Sequence, residues 1–583
     1  MISRHKILPR NEQIAAFLCD FSSLASRCYA APLCAYLLVL LLWAAIYLPG
    51  LGSVQLQHEE PRRALPALHM LASGDWLVPR VGSDPYLRKP PLLNWAIAIS
   101  CKTFGSVSEW SVRLPSVLAT LALAAAIVVI AGRRWLGLQG GLIAAIFFLV
   151  NFTMIETGRL AELEAVYISL TGIALILWMT SWRNEAGPWQ LWVLPAPFLA
   201  LGMLTKGPTH LLFFYGIVLP VLVFGKNTRS LGHPAHFVSL VVILGALLCW
   251  AVPCSLAVNS DHPTSVWRFW WEQLASRVSA ESDERFRFWL WLLNGPQTLK
   301  NYLPWTLFLP LLWRRGIMES GTGNPEPAHP AHRDAALFRG ARWGLVATAL
   351  VMILLPNGSP RYLYPLIVVP CLLLGRALTT NEGAGVPDFV GSTWRRCNLL
   401  FLTVVSCGVV AAPFVRYPGT LAWSMLETLL GFAVWTFALT PARGSASAER
   451  QVSTEFTRQA TISGSIAAIG MMLFATTALP IIDSANEHRP REVARKILNA
   501  MPAGTDLWIL ENAYRPFWYY LEPQARYFHR ISDLPPGVRY ILVPATQTAA
   551  FLGDPAWRDA TPRPVLRVFD NEKRAFDLLA LSP

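Results

Sequence analysis

Charged residues are scarce in this sequence of 583 residues, since Asp, Glu, Lys and Arg together make up 15% of it. A soluble globular protein usually carries roughly 25% charged residues, so the composition argues against a soluble enzyme. Hydrophobic residues account for 54% of the chain, which excludes intrinsic disorder. The composition instead indicates one large membrane domain with a smaller unit beside it.

The cysteines of this sequence do not occur in the spacings typical of disulfide frameworks or zinc sites. None of the nine cysteines follows Cys407, most lie in apolar runs, and no CxxC occurs, so neither a disulfide framework nor a zinc ribbon is predicted. HExxH and other spacings typical of metal ligands are also missing from the sequence. His58, His210 and His262 are therefore interpreted as structural or exposed histidines, and no metal site is predicted.

Acidic residues are fewer than basic ones, at 36 against 49, which gives a formal charge of +13. In a soluble chain this excess would suggest nucleic acid as a partner. Here the basic residues lie in the loops between apolar runs, so they are interpreted as determinants of membrane topology. No nucleic-acid partner is predicted.

Apolar runs able to span a bilayer recur along the chain. The first, residues 32–48, follows a basic segment and has no small-residue cleavage site close behind it, which predicts a retained helix with the N-terminus inside. Further candidate spans are residues 112–132, 140–155, 164–182, 191–205, 208–224, 237–258, 302–313, 343–356, 361–374, 399–415, 421–439 and 461–480. The total of about thirteen is odd, so the C-terminus is predicted outside.

The loops that this alternation assigns to the inside are rich in Lys and Arg, as an inner face should be. They contain Arg133, Arg134, Arg183, Lys226, Arg229, Arg314, Arg315, Arg339, Arg342, Arg395, Arg396, Arg443, Arg450 and Arg458. The two long outer loops are residues 51–111 and 259–301. The first contains a moderately apolar stretch, residues 91–104, which is interpreted as an interfacial helix, and the second alternates aromatic and basic residues, as a segment at the headgroup level does.

The sequence from residue 483 to residue 583 differs in composition from the rest. Residues 489–501 have helical spacing, and residues 507–510, 527–528, 540–543 and 565–569 resemble short buried strands. The predicted organisation is a mainly α, polytopic membrane helical bundle over residues 1–482 and a small extracytoplasmic α/β domain over residues 483–583.

Acids and bases that are far apart in the sequence are all assigned to the outer side. The first outer loop opens with His58-Glu59-Glu60-Pro61-Arg62-Arg63, either a solvated turn or part of a site. The further outer-side candidates are Lys89, Glu164, Lys206, Glu272, Arg277 and Arg361. Ionisable groups at helix ends on one face are functional candidates, although Glu164 could instead cap a helix and Lys206 could extend to the interface.

Several short motifs lie on one predicted side of the membrane. They are MLASGDWLVP at 70–79, KPPL at 89–92, GRLAELE at 158–164, LTKGP at 204–208, Glu272-Gln273-Leu274 with Arg277, LPW at 303–305 and GSPRYLYP at 358–365. In sequence and in order, these motifs resemble those of the polyprenyl-phosphate-sugar glycosyltransferases of the GT-C class, which include the bacterial aminoarabinose transferases and the protein O-mannosyltransferases. The resemblance covers most of the chain.

The resemblance implies a GT-C-like fold and transfer of a sugar, with inversion, from a polyprenyl-phosphate donor to an acceptor at the outer face of a bacterial inner membrane. The acceptor would be a lipid A-like glycolipid or a protein, and membrane lipids would be further partners. Glu59 would act as general base with Glu164 assisting, and Glu60 is the alternative base. Residues implied at the donor phosphate are Lys89, Arg62, Lys206, Arg361 and Tyr362. Glu272 and Arg277 are further outer-loop candidates.

The sequence departs from the family at three positions. Glu59 and Glu164 stand where the family has Asp, and each is longer by one methylene. Arg88 replaces an acid of the aminoarabinose transferases, which weakens a carry-over of their metal site and of their lipid A specificity. A divalent cation stays open as a cofactor. Two other functions also stay open: a transporter or flippase for a lipid-linked sugar, and a non-catalytic envelope protein.

Overall fold

The structure is a computed structural model, and it describes the chain in thirteen ranges. These are residues 31–56, 58–259, 267, 270–271, 292–313, 329–354, 359–379, 388–415, 421–439, 448–484, 489–510, 514–554 and 562–581. Most of the described residues are helical, and a small sheet forms near the C-terminus. The prediction of a mainly α protein with a small C-terminal sheet is therefore confirmed.

The helices follow one another along the chain with few other elements between them. They are α1 (Pro32–Tyr47), α2 (Glu60–Ser73), α3 (Leu92–Phe104), α4 (Glu109–Ala126), α5 (Gly137–Leu149), α6 (Phe152–Thr157), α7 (Leu163–Arg183), α8 (Pro188–Val193), α9 (Ala196–Lys206), α10 (Thr209–Phe224), α11 (Pro234–Asn259), α12 (Asn294–Lys300), α13 (His329–Leu354), α14 (Val368–Ala377), α15 (Asp388–Val415), α16 (Leu421–Leu439), α17 (Ala448–Thr476), α18 (Ala478–Ser484), α19 (Pro490–Asn499) and α20 (Ala545–Leu552). Short 3₁₀ segments include Trp305–Trp313, Pro360–Leu366 and Pro516–Leu521.

Within the described residues, six helical segments are long and apolar enough to cross a membrane. They are Glu109–Leu149, Leu163–Arg183, Pro234–Val258, Arg333–Leu354, Phe389–Ala412 and Ser453–Asp483. Their apolar side chains are left partly uncovered, and on α11 Val241 is 69% and Leu256 70% exposed, as a surface facing lipid would be. The chain is thus an integral membrane protein, while the number of about thirteen spans stays a prediction. The predicted interfacial stretch 91–104 is the helix α3.

The first of these six segments consists of two antiparallel helices. Between α4 and α5 the chain passes through a π-helical stretch, Ile127–Leu136, and reverses at Gly137, whose φ is +74°. Gly132 and Gly141 then meet back to back, since a Cβ added to Gly141 would lie 2.6 Å from the Cα of Gly132. Glycine at both positions allows this close approach. The two antiparallel helices agree with the separate runs predicted at 112–132 and 140–155.

The C-terminal sheet is mixed, with strands in the order β4-β3-β5-β7-β6. Its strands are β3 (Leu507–Leu510), β4 (Ala525–Phe528), β5 (Tyr540–Pro544), β6 (Pro562–Phe569) and β7 (Ala575–Leu581), whereas β1 (Arg80–Val81) and β2 (Asp84–Pro85) form a small hairpin in the first outer loop. β3 pairs in parallel with β4 and β5, and β7 pairs antiparallel with β5 and β6. All four predicted strands lie within β3 to β6, and β7 was not predicted.

The first outer loop and the C-terminal region share one hydrophobic core. Leu65 of α2 and Ile97 of α3 are buried in the same cluster as Ile497 of α19, Trp518 and Leu542 of β5. The backbone N–H of Leu56 also donates to the Tyr520 hydroxyl at 2.7 Å. The C-terminal elements therefore pack against the loop, and the boundary at residue 482 stays a prediction.

A buried ion pair fixes the start of the first outer loop. Glu60 is 0% exposed, and its carboxylate accepts from Nε and Nη2 of Arg113, both at 2.8 Å, and from the backbone N–H of Ala161 at 2.8 Å. Arg113 also donates to the carbonyl oxygens of Leu51, Val54 and Gln55 at 2.7–2.9 Å. One guanidinium thereby joins α4 to the loop and to the beginning of α2.

Replacing Arg113 by Met should strongly destabilise the protein, because the substitution leaves the Glu60 carboxylate buried without its partner. Loss of one member of a buried pair costs about 3–5 kcal/mol. The double variant Glu60→Gln with Arg113→Met should recover part of that loss. Thermal unfolding of detergent-solubilised protein measures both, and equal melting temperatures for the wild type and Arg113→Met would contradict the assigned role.

Candidate active site

Glu59 lies at the N-cap of α2, directly before the buried Glu60. Its side chain is 42% exposed, and both carboxylate oxygens accept from Nη1 of Arg62 at 3.0 Å. Nη2 of Arg63 approaches one of these oxygens at 3.5 Å. Because consecutive residues at a helix start point in different directions, the Glu60 carboxylate enters the core and the Glu59 carboxylate stays partly exposed beside two arginines.

Arg63 connects Glu59 with the beginning of α7. Its guanidinium donates to the hydroxyl of Tyr86, and it experiences the charges of both Glu59 and Glu164. Its Cζ lies 5.6 Å from the centroid of the Tyr86 ring. The buried guanidinium of Arg63 therefore contacts one and lies within electrostatic range of the other of the two carboxylates that the sequence predicted to converge.

Glu164 and Lys206 form the second ion pair of the site. Nζ of Lys206, the last residue of α9, donates to Oε1 of Glu164 at 3.1 Å, and both side chains are largely buried. The ammonium also lies 5.3 Å from the Tyr167 ring centroid. Tyr167 in turn is hydrogen-bonded to Thr209 at 2.7 Å. Glu164 thus orients Lys206, and it also stands in the first turn of α7, where the alternative of a helix-capping acid would place it.

Glu162 joins this cluster from the N-cap of α7. Burial, assisted by the negative charges of Glu164 and Glu60, raises the pKa of Glu162 to about 7, although Arg63 and Arg361 act in the opposite direction. Arg361 lies on the 3₁₀ segment Pro360–Leu366 and is exposed. Arg361 therefore acts on Glu162 from a segment that follows it by 199 residues.

Lys89 is half-buried and follows β2 by four residues. The stretch before it is held by the second outer loop, because Nε1 of Trp270 donates to the Leu87 carbonyl at 2.9 Å. Trp250 of α11 donates to the Leu77 carbonyl at 3.0 Å in the same way. Two indoles thus fix the loop that carries Lys89.

The structure says less about the other predicted site residues. Tyr362 is partly buried on the same 3₁₀ segment as Arg361, and Glu272 and Arg277 lie outside the described residues. In the part of the chain that the structure describes, no three His, Cys, Asp or Glu side chains are grouped so that they could hold a metal ion. His210 is buried and makes contacts of 2.9 and 2.7 Å with the carbonyls of Gly207 and Leu199, which is a structural role.

Two residues of this site were not singled out from the sequence. Arg113 follows the start of a predicted span by one residue, and an arginine inside an apolar run is itself a signal of function or pairing. Glu162 stands two residues before Glu164, and only the fold shows that both face the same basic groups. The Arg159 side chain, from the same loop, donates to the Pro49 carbonyl and so joins that loop to the end of α1.

The raised pKa of Glu162 should make stability fall with rising pH. Its pKa of about 7 in the folded protein lies above the ordinary value of 4.5, so the folded state holds the proton more tightly and loses that advantage between pH 4.5 and 7. Relative to Glu162→Gln, the wild type should lose at most about 3 kcal/mol over this window. Melting temperatures of both proteins from pH 4.5 to 8 test this.

The control for this measurement is Glu185→Gln, at the opposite end of α7, where the carboxylate is half-exposed and pairs with Arg333 at 3.0 Å. The difference between the wild type and this control is the baseline with which the Glu162→Gln curve is compared over the same pH window. Parallel curves for the wild type and Glu162→Gln would refute the assigned pKa.

The sequence of this chain is similar to those of known proteins. The family described as dolichyl-phosphate-mannose-protein mannosyltransferase matches residues 88–252. An undecaprenyl phosphate-α-4-amino-4-deoxy-L-arabinose arabinosyl transferase from Edwardsiella ictaluri is 29% identical over 46% of this chain. The chain spans about half the length of that relative, 47%. A transferase of the same name from Enterobacter sp. is 26% identical over 69% of this chain and 70% of its own length.

The fold is shared with a solved structure as well. The crystal structure of ArnT from Cupriavidus metallidurans bound to undecaprenyl phosphate has a TM-score of 0.62 at 17% identity, and the match covers 93% of this chain and 97% of that one. The apo state of the same protein gives a TM-score of 0.60. Together, the family match, the curated relatives and the fold confirm the resemblance of this chain to the polyprenyl-phosphate-sugar glycosyltransferases of the GT-C class.

Proposed function

We propose that this protein is an inverting glycosyltransferase that moves a sugar from a polyprenyl-phosphate donor to an acceptor hydroxyl at the outer face of the inner membrane. A lipid A-like glycolipid is the favoured acceptor, as the resemblance to the aminoarabinose transferases implies, and two relatives with similar sequences are named undecaprenyl phosphate-α-4-amino-4-deoxy-L-arabinose arabinosyl transferases. A protein hydroxyl is the second candidate, because the matching family is described as a protein mannosyltransferase.

The observation that carries this proposal is the coupling of Glu59 to Arg62. The carboxylate is 42% exposed and is held by the guanidinium at 3.0 Å through both oxygens. Arginine binds phosphate oxygens as readily as carboxylate oxygens. A donor phosphate would therefore compete for Arg62 and release Glu59 toward the acceptor, so that the base becomes free when the donor is in place.

The transfer breaks the bond between the anomeric carbon and the phosphate oxygen and forms a bond from that carbon to the acceptor oxygen. Glu59 takes the acceptor's proton as general base, and the polyprenyl phosphate leaves with the electron pair of the broken bond. Arg62, Lys89, Lys206 and Arg361 would stabilise the negative charge that grows on the departing phosphate. Direct displacement on the face opposite the phosphate gives inversion.

The other acids have supporting roles in this proposal. Glu164 holds Lys206 at 3.1 Å, so it positions a phosphate-binding cation rather than removing a proton. Glu60 is 0% exposed and saturated by Arg113 and Ala161, so it fixes the backbone that presents Glu59. Tyr362 would donate to phosphate or sugar from the segment that carries Arg361.

The proposed orientation places the N-terminus in the cytoplasm and the C-terminus in the periplasm. It is supported by polar clusters at the two ends of α7, which at 1.5 Å per residue is about 30 Å long. Glu164 and Lys206 lie at one end. Arg183 at the other end donates to Asp334, which Arg376 also approaches at 3.4 Å. The second cluster carries the basic residues expected on the inside.

Glu59→Gln should lower turnover by a factor on the order of 100 or more, because the amide cannot accept the acceptor's proton. Affinity for the donor should rise, because Arg62 no longer has to be released from the Glu59 carboxylate. The measurement is transfer from radiolabelled undecaprenyl-phosphate aminoarabinose to lipid A by purified protein. Glu59→Asp tests the length of the base, because a shift of about 1 Å can cost on the order of 100-fold in rate.

The matched control is again Glu185→Gln, since Glu185 is also a half-exposed carboxylate paired with an arginine at 3.0 Å and lies at the opposite end of α7. It should turn over as the wild type does. Equal rates for Glu59→Gln and the wild type would remove Glu59 from the mechanism. Movement of the labelled lipid across vesicles without any transfer would favour the transporter alternative.

A reporter fused after Pro583 tests the orientation. Alkaline phosphatase at this position should be active, because it folds only outside the cytoplasm, and a green fluorescent protein at the same position should be dark when exported through the general secretory route. The opposite pair of signals would overturn the proposed topology without affecting the chemistry of the site.

A further inference from the structure

Tyr514 belongs to the C-terminal region but contacts the first outer loop. The centroid of its ring lies 4.5 Å from Cζ of Arg62, the guanidinium whose Nη1 is bonded to Glu59. Trp518 packs edge-on against Tyr514, with ring centroids 6.1 Å apart and an interplanar angle of 79°. The ring is therefore held from behind by its own region and stacks on a residue of the proposed phosphate site.

The hydroxyl of Tyr514 is buried and has no hydrogen-bond partner among the residues that the structure describes. Nε of Arg63 is also buried and has no hydrogen-bond partner within the described part of the chain. The two groups are close enough to interact, since the charges of Arg62, Glu59 and Arg63 all influence the pKa of Tyr514. Buried donors of this kind normally have an acceptor, so the arrangement suits a ligand that offers oxygen atoms.

The Tyr514 hydroxyl is available as a donor at physiological pH. Burial raises its pKa well above the ordinary value of 10, and the nearby Glu59 and Tyr86 act in the same direction, against Arg62 and Arg63. The hydroxyl therefore stays protonated. A neutral O–H beside two guanidinium groups fits an anionic oxygen better than any other partner, because all three groups can donate and the anion can accept from each.

We infer that Tyr514 is a further ligand-binding residue of the phosphate site, contributed by the C-terminal region. Its ring keeps Arg62 beside Glu59, and its hydroxyl donates to an oxygen of the donor's phosphate. This inference rests on the proposed function, since it takes the ligand to be a prenyl phosphate. It gives the C-terminal region a direct part in donor binding in addition to covering the first outer loop.

Two substitutions separate the two contributions of Tyr514. Tyr514→Phe keeps the ring and removes the hydroxyl, so it should weaken the binding of undecaprenyl phosphate about 10-fold and raise KM for the donor similarly, with kcat little changed. Tyr514→Leu also removes the ring from Arg62, so it should lower kcat in addition. Binding is measured by titrating undecaprenyl phosphate into purified protein in detergent, and turnover is measured with the labelled donor.

The matched control is Tyr540→Phe, which removes a partly buried tyrosine hydroxyl from β5 of the same region and should leave binding unchanged. Melting temperatures establish that the variants are folded, and because Tyr514→Phe is nearly isosteric, it stays informative even if Tyr514→Leu unfolds. Binding by Tyr514→Phe that equals the wild type would overturn the inference and leave the proposed function intact. Failure of the wild type to bind undecaprenyl phosphate would overturn both.

Discussion

The arrangement of the candidate site depends on the buried pair of Glu60 and Arg113. A guanidinium with five donors satisfies a buried carboxylate and three backbone carbonyls of the first outer loop at once. The carboxylate also accepts from the Ala161 N–H, so the loop before α7 is joined to the same centre. Since a buried charge is tolerated only when it is fully paired, this geometry leaves the chain little freedom. It fixes the first turn of α2 and thereby directs Glu59 outward.

Much of the architecture could be predicted from the sequence, because apolar runs and basic loops directly reflect the cost of burying charge in a bilayer. Most predicted runs correspond to helices or 3₁₀ segments within a few residues, and the four predicted C-terminal strands lie within β3 to β6. However, α13, α15 and α17 begin 11 to 14 residues before the runs predicted at 343–356, 399–415 and 461–480. β7 was missed. Its sequence, AFDLLAL, gives no clear alternation, and it becomes a strand because β5 and β6 pair with it on both sides.

The sequence predicted which residues belong to the candidate site but not which of them form ion pairs with each other. The sequence placed Glu59, Arg62, Glu164 and Lys206 on one side but could not show that Glu164 binds Lys206, because the two are 42 residues apart. Nor could it decide between Glu59 and Glu60, since adjacent carboxylates have the same chemistry until the helix start turns one of them into the core. No local sequence pattern could predict the contact of Tyr514 with Arg62, because the two residues are more than four hundred positions apart in the sequence.

The common core of α2, α3, α19 and β5 also bears on how the protein is made. Leu56 and Tyr520 are hydrogen-bonded although 464 residues of sequence separate them. During synthesis, the first outer loop emerges long before the segment that covers Leu65 and Ile97. Until that segment arrives, these apolar side chains stay exposed to water or to the membrane surface. A ribosome that stalls near the end of the message therefore leaves a nascent polypeptide with its helices inserted but this core unfinished, a natural substrate for quality-control proteases.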